Sequence, residues 1–122
     1  MVKDFKPTLY LKKRCPFCFK LRLALLEADM LGDVDIEEFT EGAAQETTIR
    51  NELSGHFDKV SFPSAEIAPG EFMNNSDALI THFLSLEQID PKNLPTLQAY
   101  IQGPFSDLLR LFKENKELKK LN

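Results

Sequence analysis

The chain has 122 residues, of which 43% are hydrophobic and 28% charged, with a formal net charge of −4. That is enough to bury a core without staples, and the composition is that of an ordinary globular protein. The acidic balance excludes nucleic acid as the main ligand, since phosphate neutralisation needs a dominant basic face.

Residues 1–6 are too polar for a signal peptide and no apolar run approaches bilayer-spanning length, so a cytoplasmic protein with no membrane partner is expected. Pro7-Thr8 opens a strand over residues 8–11, and Lys12-Lys13-Arg14 leads from it into Cys15-Pro16-Phe17-Cys18. A helix follows. Pro16 falls in its first turn, where the missing N–H costs nothing, and residues 19–28 are apolar on most sides, so it packs closely against a sheet. Gly32-Asp33 is expected to end it.

Val34 and Ile36 alternate with Asp35 and Glu37, so residues 34–39 read as a second strand, parallel to the first. Residues 43–53 read as a polar helix ending at Ser54-Gly55. Strand, helix, strand, helix implies a βαβ unit with a right-handed crossover. Phe62-Pro63 precedes a third strand over residues 65–68, Pro69-Gly70 turns the chain, and residues 71–73 complete a hairpin.

Ser76 is the expected N-cap of an amphipathic helix with Ala78, Leu79, Ile80, Phe83 and Leu84 on one face, closed by Asp90-Pro91. In the tail Leu94, Leu97, Tyr100 and Ile101 recur at helical spacing, Gly103-Pro104 breaks the pattern, and Phe105, Leu108, Leu109 and Phe112 resume it. Residues 113–120 are charged and are expected to fray. The tail can cover the sheet, or can form a dimer surface through Phe105, Leu109 and Phe112, so a monomer or weak dimer is expected.

Charge is unevenly placed. Lys12, Lys13, Arg14, Lys20 and Arg22 surround the cysteines, whereas Asp35, Glu37, Glu38, Glu41 and Glu46 follow without a base between them. Cys15 and Cys18 are the only cysteines. No second CxxC accompanies them and His56 and His82 lack ligand spacing, so no metal site is expected. A thiol at a strand-to-helix turn among basic residues favours the thiolate, which makes redox chemistry the leading use of the pair.

Cys15-Pro16-Phe17-Cys18, Ser61-Phe62-Pro63-Ser64 and Ser76-Asp77-Ala78-Leu79, in this order, resemble the glutaredoxins. More narrowly they are similar to the glutaredoxin-like amino-terminal domain of glutathione transferases. The resemblance implies an α/β, thioredoxin-like fold: βαβ followed by αββα, with a four-stranded mixed sheet flanked by helices. It divides the chain into a domain at 1–90 and a carboxy-terminal helical extension at 91–122.

The implied activity is glutathione-dependent thiol–disulfide exchange, with glutathione as co-substrate and glutathionylated or disulfide compounds as partners. Cys15 is the implied nucleophile, and Cys18 or a second glutathione resolves the mixed disulfide. Pro63 resembles the cis-proline that faces the cysteines, leaving the Phe62 backbone to pair with glutathione like an added strand. Ser76 and the helix amino terminus are implied to take the γ-glutamyl carboxylate, Asp77 its ammonium and Lys12 the glycine carboxylate. Phe17 is expected to be partly exposed and to touch substrate. Alternatives are a truncated transferase-like thiol transferase, a glutathione-ligated iron–sulfur protein, or a partner-binding module.

Overall fold

The computed structural model describes residues 5–121, and side chains as far as residue 118. Residues 1–4, part of the segment judged too polar for a leader, lie outside the described residues. Strand β1 (Thr8–Lys12) is followed by α1 (Pro16–Glu27), β2 (Asp35–Phe39), α2 (Ala44–Leu53), β3 (Ser64–Ala68), β4 (Glu71–Asn74), α3 (Ser76–Leu86), α4 (Pro95–Tyr100) and α5 (Ser106–Leu121).

The strands form one sheet in the order β2-β1-β3-β4. β1 pairs with β2 in parallel, with Leu9 opposite Ile36, as a βαβ unit requires. β3 runs antiparallel to β1 and β4 antiparallel to β3, joined by the Pro69-Gly70 turn in which Gly70 takes a φ of +76°. This is the thioredoxin-like arrangement.

The side chains divide between the two faces of the sheet. Leu9 and Leu11 of β1 pack with Leu21, Ala24 and Leu25 of α1 and with Leu79, Ile80, Phe83 and Leu84 of α3. On the other side Tyr10 and Phe39 pack with Ile49 and Leu53 of α2. Successive β1 residues thus serve opposite cores, as the pleat dictates.

Helix ends depart from the sequence expectations. Asp29, not Gly32-Asp33, terminates α1: it adopts φ +60°, and the Asp29 and Met30 N–H groups donate to Leu26 O (3.1 Å) and Leu25 O (2.8 Å). Leu31–Asp33 instead forms a short 3₁₀ turn. Likewise Gln88 (φ +57°) closes α3, while Asp90 Oδ1 accepts from Lys92 N–H at 2.9 Å and caps the next 3₁₀ turn.

Asn75, not Ser76, caps the amino terminus of α3. Its Oδ1 accepts from the Asp77 and Ala78 N–H groups at 3.0 and 3.1 Å, and Ser76 is buried as the first helical residue. Ala78, expected on the apolar face, is exposed.

The tail joins the core. Leu94 and Leu97 are buried in the cluster of α1 and α3. The Glu27 carboxylate accepts from the Thr96 and Leu97 N–H groups, both at 2.8 Å, and so caps α4 from a neighbouring helix. Gly103-Pro104 does not break the helical path. A π-helical turn over Ile101–Phe105 absorbs the proline and carries the chain into α5, which remains helical through the charged run expected to fray.

Phe105 is buried, so it is no part of an exposed dimer surface, whereas Leu109, Leu111, Phe112 and Leu118 of α5 are exposed.

Candidate active site

Cys15 is the N-cap residue of α1, with extended backbone, and its sulfur accepts the Cys18 N–H at 3.4 Å. A sulfur in this position meets the unpaired amides of a first turn, from which Pro16 withdraws one. Arg14, at φ +65°, makes the bend between β1 and the helix. The Lys13 N–H is tied to Phe39 O at 3.0 Å, and the Lys12 N–H points to the Cys18 sulfur at 3.4 Å. Cys15 is half-buried and Cys18 is buried at 3% exposure; both are reduced.

The two thiols are driven apart in acidity. The Cys18 thiol donates to the Cys15 sulfur, which with the Cys18 and Phe17 N–H groups holds Cys15 down at about 6 against the opposing effect of burial. The same hydrogen bond, together with burial, pushes Cys18 far up. One sulfur is therefore the thiolate and the other its proton donor.

The basic patch is a smaller cause than the sequence implied. Lys12 acts on Cys15 after the hydrogen bonds, while Lys13 and Arg14 are exposed. Lys12 Nζ lies 3.0 Å from Glu41 Oε1, so the lysine expected to meet a glycine carboxylate already has a partner.

The other expected site residues fall into two groups. Phe17, Phe62, Pro63, Ser76 and Asp77 line one groove with Ser61 and Asn75, of about 280 Å³. Lys12, Cys15 and Cys18 instead line a cavity of about 360 Å³ with Leu11, Pro16, Phe19, Arg22, Glu38, Tyr100 and Leu108. Phe17, next but one to Cys15, joins them.

The Phe62–Pro63 peptide is cis. Phe62 lies before the start of β3, and among the described residues its N–H and carbonyl have no backbone partner. Its ring packs edge-on to Phe39 at 4.8 Å, with the Arg50 guanidinium 5.1 Å from the centroid. Phe17 is partly exposed, as expected, at 39%, and leans edge-on against Phe105 at 5.3 Å.

At the far end of the groove the expected ligand-binding groups are partly occupied. Asn75 takes the Asp77 and Ala78 amides, and Lys20 Nζ lies 2.7 Å from Asp77 Oδ1.

Three residues here were missed by sequence reasoning. Asn75 had a signal: among Asn74, Asn75 and Ser76, asparagine is the residue that tolerates positive φ, and Asn75 has φ +79°. Lys20 and Tyr100 had none, because their partners Asp77 and Pro16 lie 57 and 84 residues away in sequence.

No protein-family model and no curated protein matches the chain. Among solved structures it is similar to glutathione transferase Omega 3C from Trametes versicolor, with 19% identity and a TM-score of 0.55 over 80% of this chain and 42% of that one. It is also similar to Omega 2C from the same organism, with 21% identity and a TM-score of 0.46 over 75% of this chain and 39% of that one. For Omega 1C the identity is 23% and the TM-score 0.39, over 66% of this chain and 36% of that one. The chain thus spans about two fifths of the length of these transferases. The likeness to Omega 3C is one of fold, the thioredoxin-like sheet and its flanking helices.

Proposed function

We propose that this protein is a glutathione-dependent thiol–disulfide oxidoreductase. The single observation that carries the reading is the placement of its thiols: the half-buried Cys15 sulfur caps the amino end of α1 and accepts the Cys18 N–H, which favours its thiolate, while Cys18 is buried beside it. A thiolate formed below neutral pH, with an accessible sulfur, is the attacking group that exchange requires. The fold it shares with a glutathione transferase Omega chain supports glutathione as the thiol co-substrate.

In the first step the Cys15 thiolate attacks the glutathionyl sulfur of a mixed disulfide. A Cys15–glutathione disulfide forms, the original S–S bond breaks, and the substrate leaves as a thiolate that takes a proton from solvent. In the second, a glutathione thiolate attacks the glutathionyl sulfur, releasing glutathione disulfide and restoring the Cys15 thiolate. Alternatively the Cys18 sulfur, once deprotonated, attacks the Cys15 sulfur, expelling glutathione as its thiolate and closing a Cys15–Cys18 disulfide, which two glutathiones then reduce, leaving as glutathione disulfide. Either way the net exchange converts one mixed disulfide and one glutathione into one substrate thiol and one glutathione disulfide. The groove of Phe17, Phe62, Pro63, Ser76 and Asp77 is the proposed seat of glutathione.

A second reading is favoured by the cavity beside Cys15. Phe19, Tyr100 and Leu108 give it an apolar wall, suited to a small apolar acceptor in a transferase-like thiol transfer. Turnover of a glutathione mixed disulfide, coupled to glutathione reductase, tests the first reading. Cys15→Ser is expected to abolish it, and a Cys15→Ser protein working at the wild-type rate overturns the assignment. Retained turnover in Cys18→Ser marks the monothiol route and its loss the dithiol route. Transfer of glutathione to an apolar electrophile without disulfide turnover marks the second reading.

A further inference from the structure

Lys20 is a buried charge that the exchange steps do not use. It lies on α1 among Cys18, Leu21, Ala24 and Leu25, with only 5% of its side chain exposed. Its ammonium stands 4.4 Å from the Phe105 ring centroid, 5.9 Å from that of Phe17, and 2.7 Å from Asp77 Oδ1. A buried ammonium needs a counter-charge. Here the counter-charge comes from α3, and its carboxylate is 82% exposed at the edge of the groove.

A ligand ammonium arriving at Asp77 therefore meets a carboxylate that is already neutralised, with a second ammonium behind it. An arriving carboxylate meets the opposite situation. The positive end of α3 favours it, and Lys20 cancels the Asp77 charge that would otherwise repel it.

We propose that Lys20 is a specificity-determining residue: by occupying Asp77 it makes the groove read a ligand's terminal carboxylate and not its ammonium. The ligand class is a thiol peptide with an acidic acyl end, and its α-amino group is optional. This inference rests on the proposed seating of glutathione in the groove.

The test compares the glutathione mixed disulfide with the same compound lacking the α-amino group, the glutaryl-cysteinyl-glycine mixed disulfide. kcat and KM are measured for wild type, Lys20→Met and Lys20→Arg. Wild type is expected to show KM values for the two substrates within roughly two-fold of each other, less than a full exposed ion pair would produce. Lys20→Met leaves Asp77 open and is expected to lower KM for the amino-bearing substrate alone, by roughly two- to five-fold, the range of an exposed ion pair. Lys20→Arg keeps the wild-type pattern.

Methionine matches the length of the lysine stem between Phe17 and Phe105, and Asp77 is already in solvent, so the variant is expected to fold; its thermal transition checks this. Equal changes for both substrates mean a purely structural role and overturn the assignment. So does a wild type that strongly prefers the amino-bearing substrate, a result that stands even if Lys20→Met fails to fold. Calorimetry with S-methylglutathione and its des-amino analogue removes the dependence on turnover. Binding without turnover overturns the redox reading while the amino-group comparison still decides the role of Lys20, and binding of neither overturns both.

Discussion

The Tyr100 hydroxyl donates to the Pro16 carbonyl at 3.0 Å, joining the end of α4 to the first residue of the helix that presents Cys15. The Tyr100 ring also lies against Phe19 (5.2 Å) and Phe105 (5.6 Å), so one side chain closes the cavity beside the thiolate and fixes the tail. Tyr100→Phe keeps the ring contacts and removes only the hydrogen bond. It is expected to lower stability by about 1 kcal/mol, the usual net worth of such a bond, read as a lower urea midpoint with an unchanged slope.

The pH dependence of stability follows from Cys15. Its thiol ionises at about 6 in the folded chain against an ordinary value of 9.0. Between these values the folded chain holds fewer protons than the unfolded one, so the thiolate's contribution is complete above pH 9.0, declines as pH falls, and is absent below about pH 6. The urea midpoint of the reduced protein, relative to Cys15→Ser, is expected to rise across that window. Cys18 is shifted the other way, and its contribution is lost only as pH rises beyond the ordinary thiol value.

Removing individual causes should move the Cys15 titration unequally. Cys18→Ala takes away the largest, the thiol donor, whereas Lys12→Met takes away one that is smaller and shared with Glu41. Thiolate absorbance against pH is expected to show a larger upward shift for Cys18→Ala than for Lys12→Met. The reverse order would mean that the basic patch controls the sulfur.

Capping of α3 separates two adjacent residues. Asn75→Gly retains the positive φ but loses the side-chain acceptor, whereas Asn75→Ala also strains the backbone. Asn75→Ala is expected to cost about 0.5–2 kcal/mol and Asn75→Gly less, in chemical denaturation. Ser76→Ala removes no cap, and an equal or larger loss there would return the capping role to Ser76.

Leu97 tests whether α4 belongs to the core. It is fully buried against the cluster of α1 and α3. Leu97→Ala is expected to cost about 2–5 kcal/mol, as deletion of a packed leucine does, and to appear in one cooperative transition. A loss confined to α4, with the remaining amide protection unchanged, would make the tail an independent appendage.

What the sequence made legible was local. The Cys15–Pro16–Phe17–Cys18 turn, the alternation leading to Phe39 and the hairpin at Gly70 each involve neighbours a few residues apart, and each appears in the structure near its expected bounds. Phe17, Phe62, Pro63, Ser76 and Asp77 were grouped through a resemblance, and the structure gathers them in one groove. What stayed illegible was who neutralises whom. Lys12 goes to Glu41, Lys20 to Asp77 and the Glu27 carboxylate to the amides of α4, and each choice is made only once separate elements have packed. A charge run tells nothing about such pairings, so the positive rim expected around Cys15 is in fact largely spent elsewhere.

The double attachment of α4 makes its docking a local event with two independent anchors. Glu27 grips its first amides and Tyr100 its last turn, so the short helix spans α1 like a splint fastened at both ends. The Thr96 and Leu97 amides lie at the opposite end of the splint from Pro16, so loosening of either attachment frees one end of α4 while the other still holds it. Protection of those two amides in isotope exchange therefore reports whether α4 is docked on α1.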